Sequence, residues 1–357
     1  MKVLVTGGAG YIGSVVVKKL LDEGHFVVVV DNLSKGKKEL VDSRAKLYDK
    51  DLTEDLSGVF SNKIDAVIHF AAYKAVEESM VNAVKYSDNI IGYLNLLKYC
   101  VRNNVKKFIF SSTAAVYEEM DGPLTESSPT NPANFYGFTK LEIEKTLSWY
   151  NKINDLSYIS LRYFNVAGDY LSFIDPEAKN VFPILAETVI GKREKFIIYG
   201  DDYPTFDGTC IRDYIHIEDL VDAHILALKS SFDGILNLGS ENGYSVKQLV
   251  DSFKEISGKD FTVEIGDRRV GDPATVIASC KKAKEVLNWQ PKHPLKDMVQ
   301  STLLAYRWKR GLSYWSIAKG FGKKWFITIY RNAQKSIDFF CGFSRLQKEG
   351  LNVLDKF

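Results

Sequence analysis

The sequence predicts a parallel, doubly wound α/β sheet, and three observations point to it. A short apolar run, Val3-Leu4-Val5, enters a glycine-rich turn, Thr6-Gly7-Gly8-Ala9-Gly10-Tyr11-Ile12-Gly13-Ser14, which opens a helical pattern over Val15 to Leu21. A second run, Phe26 to Val30, is continuous and β-branched, as suits a strand buried on both faces. Further apolar runs then alternate with helical stretches, as parallel strands joined by crossover helices require. With 357 residues, 45% hydrophobic and 26% charged, the chain can bury a sizeable core as one large domain or two smaller ones.

The glycine turn comes first. Glycines let the backbone turn tightly and approach a pyrophosphate, whose charge is attracted by the free N–H groups and positive dipole end of the next helix. Gly24 stops that helix, and the second strand ends in Asp31, 18 residues beyond Gly13. A carboxylate there accepts hydrogen bonds from an adenosine ribose and repels a 2′-phosphate, so NAD is expected rather than NADP. Either signal alone would be weak, because any strand-to-helix turn collects glycines and Asp31-Asn32 alone could simply open a turn. Ala66 to Phe70 and Lys107 to Phe110 are the next strands, with an amphipathic helix over Asn89 to Val101 between them. Ligands of such sheets lie beyond the carboxyl ends of the strands. The segments to inspect are therefore Asp51-Leu52, Phe70-Ala71-Ala72-Tyr73-Lys74 and Ser111-Ser112-Thr113.

Tyr136-Gly137-Phe138-Thr139-Lys140 opens a helical stretch that continues through Leu141, Ile143 and Leu147. Residues four apart share a helix face, so Tyr136 and Lys140 are neighbours. An ammonium beside a phenol stabilises the phenolate and lowers its pKa, as does a positive nicotinamide ring. Tyr136 is thus expected to act as a base near neutral pH, with Thr113 sharing the proton through its hydroxyl. Such a pair alone is commonplace on surface helices. After a dinucleotide turn and a Ser-Ser-Thr strand end, it is a candidate catalytic constellation.

These residues resemble a known family, the extended short-chain dehydrogenase/reductases, and within it the UDP-glucose and related nucleotide-sugar 4-epimerases. The likeness runs from Met1 to about Trp308. It rests on Thr6 to Ser14, Asp31-Asn32-Leu33-Ser34, Phe70 to Val76, Ser111 to Tyr117, Tyr136 to Lys140, Arg162-Tyr163-Phe164-Asn165 and Asp207 to Tyr214. It implies a Rossmann-like NAD-binding domain over 1–165, completed by later segments, and a smaller mixed α/β lobe over 166–312 that binds the UDP-sugar. The weaker helix–strand alternation and longer loops after Asn165 fit such a lobe. The implied enzyme is a cytoplasmic isomerase that interconverts UDP-glucose and UDP-galactose by NAD-dependent inversion at carbon 4 through a 4-keto intermediate. A homodimer through helices near 87–103 and 137–151 is implied as well.

The resemblance assigns Thr113, Tyr136 and Lys140 to catalysis. It places Gly7, Gly10, Tyr11, Ile12, Gly13, Asp31, Asn32, Asp51, Leu52, Phe70, Ala71, Ala72, Lys74, Asn89, Tyr136, Lys140 and Tyr163 at the NAD. Thr113, Asn165, Asn180, Tyr199, Arg212, Arg269, Asp272 and Val276 fall at the UDP-sugar. Arginines suit a diphosphate because their planar fork pairs with its oxygens, and a carboxylate such as Asp272 can accept from a ribose hydroxyl. In the epimerases a tyrosine at the position of Val276 is associated with excluding N-acetylated sugars, so valine implies that UDP-N-acetylglucosamine is accepted too. Two positions depart from the family pattern: Glu118 stands where glycine is usual and Phe135 where proline is common. Nucleotide-sugar 4,6-dehydratases carry Asp-Glu directly after the threonine; Ala114-Ala115 argues against that activity. Non-catalytic NAD-sensing relatives lose the tyrosine or the lysine, and both are present.

The net charge of +2 gives no reason to expect nucleic acid. Cys100, Cys210, Cys280 and Cys341 are scattered and read as reduced thiols, and the five histidines show no zinc spacing, so no metal is expected. No leader pattern and no apolar run of transmembrane length is read. Residues 313–357 carry eight Lys/Arg against three Asp/Glu, with Phe326, Ile329, Tyr330, Ala333, Ile337, Phe340 and Cys341 at helical spacing. This helical extension is expected to pack on its own protein or a neighbouring subunit, with an anionic membrane or a glycosyltransferase partner as the other reading.

Overall fold

The computed structural model describes residues 1–308, apart from 62, 121, 172–179 and 270–271. The first half of the chain contributes β1 (Lys2–Thr6), α1 (Tyr11–Asp22), β2 (Phe26–Asp31), β3 (Lys46–Asp49), β4 (Ala66–His69), a short α2 (Val76–Ser79), α3 (Ala83–Arg102) and β5 (Lys107–Thr113). There follow β6 (Pro123–Leu124), α4 (Phe135–Asn154), β7 (Ser157–Tyr163), β8 (Asn165–Ala167), α5 (Val181–Val189), β9 (Lys195–Tyr199), β10 (Ile211–His216), α6 (Ile217–Lys229) and β11 (Gly234–Leu238). The described chain closes with β12 (Gly243–Ser245), α7 (Val246–Ser257), β13 (Thr262–Gly266), β14 (Thr275–Ala278), α8 (Lys281–Leu287) and α9 (Leu295–Trp308).

Strands β3, β2, β1, β4, β5, β7 and β11 lie side by side in that order, all parallel. The order reverses direction at β1 and β4, which opens a crevice at their carboxyl ends. Successive residues of each strand serve opposite faces: Val3 and Val5 join one core with Val16, Leu20 and Ile109, while Leu4 joins the other with Leu96 and Phe108. Each such side chain contributes roughly 1.5–3 kcal/mol by its burial. The seventh strand comes from 234–238, so the sheet draws on sequence well beyond Asn165. Helix α3 starts at Ala83, ahead of the amphipathic stretch, because the Asn82 side chain caps it by accepting from the Lys85 N–H at 3.2 Å.

A third core, with Phe182, Leu185, Phe196, Phe253 and Leu303, lies among α5, β9, α7 and α9. Here β12, β10, β14 and β6 form a second small sheet with β8 on β10, and β9 pairs with β13. Because β8 follows β7 after one residue and β14 pairs with β6, this lobe is joined to the first beside the carboxyl end of β7. No helix among the described residues is long and apolar enough to cross a membrane. Cys100, Cys210 and Cys280 are buried free thiols. The basic tail, with Cys341, lies outside the described residues.

Candidate active site

At the end of β1 the backbone turns through Gly7 at φ +72°, where a Cβ would stand 2.6 Å from the Ala71 nitrogen. A Cβ on Gly13 would stand only 2.2 Å from the Gly7 carbonyl oxygen. Gly10 takes the cap position of α1 with no capping side chain, and no acid occupies the first turn. The first-turn N–H groups, at Tyr11, Ile12 and Gly13, have no intrahelical acceptor and suit an anion. One strand over, Asp31 is almost buried: its Oδ2 accepts from the Ala9 N–H and its Oδ1 from the Leu33 N–H, both at 2.9 Å. Burial pushes its carboxyl up. The carboxylate braces the glycine turn, and each oxygen retains a lone pair for a ribose hydroxyl.

Asn32 donates to Asp51, beyond β3, at 2.7 Å. Leu52 turns its side chain into the core beneath Gly92. Beyond β4, Phe70, Ala71 and Ala72 run past Gly7 towards the exposed Lys74. Asn89 on α3 pins this loop: it accepts from the Tyr73 N–H at 2.8 Å and donates to the Tyr73 carbonyl at 3.0 Å. Its amide is therefore engaged by the loop itself. A cradle that a Cβ would fill, an uncapped helix start and a carboxylate on the next strand fit a dinucleotide.

Helix α4 begins where the Asn134 side chain accepts from the Gly137 N–H at 2.8 Å. A Cβ on Gly137 would lie 2.3 Å from the Ala115 carbonyl oxygen, so glycine lets the helix close onto the turn after β5. That approach brings the half-buried Tyr136 into hydrogen-bonding reach of the Thr113 side chain. The Thr113 oxygen also accepts from the Ala115 N–H at 3.1 Å. Lys140 is buried; its Nζ donates to the Ser111 carbonyl at 2.8 Å and stands 5.8 Å from the Tyr136 ring centroid. Burial pushes the Tyr136 phenol up to about 12, against the pull of Thr113. Burial likewise drives Lys140 down to about 7, with Glu144 opposing. For these residues alone desolvation therefore dominates at the phenol, before the positive nicotinamide ring that the sequence reading invokes is added.

Behind Lys140 lies a buried group that sequence reasoning missed. Arg162 on β7 grips Glu144 of α4 with Nε to Oε1 at 2.9 Å and Nη2 to Oε2 at 2.6 Å, and the Ser112 hydroxyl donates to Oε1. The Arg162 guanidinium stacks 4.7 Å over the Tyr117 ring, whose hydroxyl donates to Asn237 at 2.6 Å. Glu144 lies four residues beyond Lys140 and Arg162 interrupts an apolar strand, which are the signals that were available. Tyr163, beside Thr113 in the β5–β7 register, contacts the buried His224, also missed, at 3.4 Å. Burial drives that histidine to about 4, so it is neutral; its Nδ1–H donates to the Leu220 carbonyl and Nε2 accepts from Tyr163.

Strand register carries the site into the second lobe. Asn165 pairs with Tyr214, and Arg212 pairs with Val276. Asn165 donates to the Asp213 carbonyl at 3.0 Å. Arg212 forms an ion pair with Asp272 and Arg269 stacks 4.2 Å over the Tyr199 ring. Asn180 precedes α5 and lines a cavity of about 50 Å³ with Tyr11, Lys74, Gly168 and Tyr306. Asn180, expected at the substrate, thus shares this small cavity with Tyr11 and Lys74, expected at the cofactor. The unread Asp213 latches this region: it is fully buried and accepts N–H bonds from Ser240, Glu241 and Ala278 at 2.7, 3.0 and 3.1 Å. Burial pushes its carboxyl up to about 6.

Glu118 fits where a glycine is usual because its φ is not positive. Phe135 opens α4 and stacks on Phe138, ring centroids 5.6 Å apart. His216, Glu218 and His293 bring three possible metal ligands within 4.8 Å. The fold already uses both histidines: His216 accepts from the Glu218 N–H and meets Ser301, both at 3.1 Å, and His293 meets Asp219 at 2.8 Å.

The family model described as "NAD dependent epimerase/dehydratase family" matches residues 3–239. A UDP-glucose 4-epimerase of Corynebacterium glutamicum is 46% identical over 301 residues, covering 82% of this chain and 92% of that protein. The crystal structure of a Bifidobacterium longum UDP-glucose 4-epimerase in complex with NAD⁺ and UDP is 35% identical, with a TM-score of 0.80 over 87% of this chain and 99% of that one. The UDP-Glc/GlcNAc 4-epimerase of Campylobacter jejuni is 40% identical, with a TM-score of 0.76 over 86% and 99%. With the glycine cradle, Asp31 and the Tyr136–Lys140 pair in place on this sheet, the chain belongs to the NAD-dependent epimerase/dehydratase family.

Proposed function

We propose that this protein is a UDP-glucose 4-epimerase that uses NAD. The observation that carries the reading is the convergence of Tyr136, Thr113 and Lys140 at the carboxyl edge of β5, two strands from the glycine cradle of β1. NAD would be held by the glycine turn, Asp31 and the loop after β4, and would supply a hydride acceptor and a positive charge. Tyr136 takes the proton of the 4-hydroxyl, directly or through Thr113, as carbon 4 is oxidised. Lys140, in its cationic form, stabilises the phenolate. Tyr136 returns that proton to the 4-oxygen once the 4-keto sugar has turned its other face to the site. Arg212 and Arg269 hold the diphosphate while the hexose is held loosely, which permits the turn. The test is incubation of the purified protein with UDP-galactose, without added NAD. UDP-glucose is expected, and unchanged substrate would overturn the reading.

The smaller Val276 side chain next to Arg212 supports acceptance of UDP-N-acetylglucosamine, as does the likeness to the Campylobacter jejuni enzyme. Val276→Tyr is expected to lower turnover of the acetylated sugar at least about tenfold relative to UDP-glucose, the scale of one poorly fitting group in a pocket. No turnover of the acetylated sugar by the wild type would sink this. Exposed Ile91 and Leu94 on α3 and Phe138, Trp149 and Ile153 on the adjoining α4 support a homodimer through these helices. Light scattering is expected to give twice the chain mass; a monomer would refute it.

A further inference from the structure

Tyr136, Lys140 and Glu144 recur every four residues on one face of α4. They meet three consecutive residues at the end of β5: the Thr113 side chain, the Ser111 carbonyl and the Ser112 hydroxyl. Only the third contact is secured by another charge. Arg162, the register partner of Ser112 on β7, holds both oxygens of Glu144, and the two residues are buried, at 2% and 3% exposure respectively. A buried ion pair is a poor source of net stability, because desolvation offsets the attraction. What this pair does fix is the height of α4 along β5 and β7. Arg162 also leads directly into Tyr163 and Asn165, so one guanidinium ties the catalytic helix to the strand that enters the substrate lobe.

We propose that Glu144 and Arg162 are positioning residues, whose mutual grip sets the register of α4 so that Tyr136 and Lys140 meet the end of β5 in the geometry turnover requires. The helix moves as a unit. A slip by one residue displaces Tyr136 by about 1.5 Å along the axis, and an error of about 1 Å in a reacting group can cost about 100-fold in rate. The role rests on the epimerase reading.

Glu144→Gln alone would leave a buried arginine charge without its partner and could unfold the protein for that reason. The test is therefore the double variant Glu144→Leu/Arg162→Met, which removes both charges and keeps the volume. With wild-type protein active on UDP-galactose, the double variant is expected to melt near the wild-type temperature and to keep its KM, while kcat falls about 100-fold. An active wild type with an equally active double variant would overturn the proposal alone. A double variant that does not fold would make the pair a folding element and overturn the positioning role. A wild type without turnover would overturn the functional reading and this proposal with it.

Discussion

Tyr136→Phe is expected to lower kcat by about 100- to 10,000-fold, the range for loss of a general acid–base group, while leaving KM for the UDP-sugar nearly unchanged. The substitution removes one oxygen and keeps the ring beneath the Lys140 ammonium, whose bond to the Ser111 carbonyl does not depend on the phenol. The residues assigned to the diphosphate, Arg212 and Arg269, sit on other segments and lose nothing. The pH profile gives a second readout. Raising the pH favours loss of the phenol proton, which burial holds up at about 12, but also strips Lys140 of its proton above about 7. The two effects oppose, so wild-type kcat should be bell-shaped in pH, and the phenylalanine variant should lose the ascending limb. Wild-type turnover in the variant would refute Tyr136 as the base.

Legibility of the fold followed burial. Val3 to Val5 and Phe26 to Val30 are continuous apolar runs because helices cover both faces of the sheet, so strands β1 and β2 could be read directly. The second lobe was opaque because β8, β12 and β14 are three or four residues long, too short to show a period. The start of α3 was not legible because its cap, Asn82, lies ahead of the amphipathic stretch and is one asparagine among several in the sequence. At the site, Gly7, Asp31, Tyr136 and Lys140 were legible because each sits at a fixed spacing from a neighbour in sequence. Glu144 and Arg162 were not, since their pairing joins α4 to β7 across the sheet and only topology brings them together. The desolvation that acts on Tyr136 was not legible either: spacing places Lys140 nearby, but how far the phenol is shielded from water is a property of the whole fold.

The glycine cradle carries the other large effect. In Gly13→Ala the new Cβ would stand 2.2 Å from the Gly7 oxygen and 2.9 Å from the Gly7 carbonyl carbon. Those backbone atoms cannot yield cheaply: the Gly7 N–H donates to the Val30 carbonyl at 2.8 Å, and the Gly7 oxygen accepts from the Gly10 N–H at 3.1 Å. Helix α1 cannot retreat easily either, because Val16 and Val17 are packed in the core beneath it. Overpacking of this kind costs about 1–3 kcal/mol, and about 1.4 kcal/mol is already tenfold in an equilibrium constant. The strain falls on the turn that would cradle the pyrophosphate, so NAD affinity is expected to fall at least about tenfold, with a lower melting temperature. Gly10→Ala provides the graded comparison. Its Cβ would meet the same oxygen at 3.3 Å, a contact that a shift of a few tenths of an ångström relieves, so its NAD content should be nearer to wild type. Nucleotide released on denaturing the purified proteins would be quantified by absorbance after chromatography. Equal NAD in wild type and Gly13→Ala would mean that the dinucleotide does not lie against this turn.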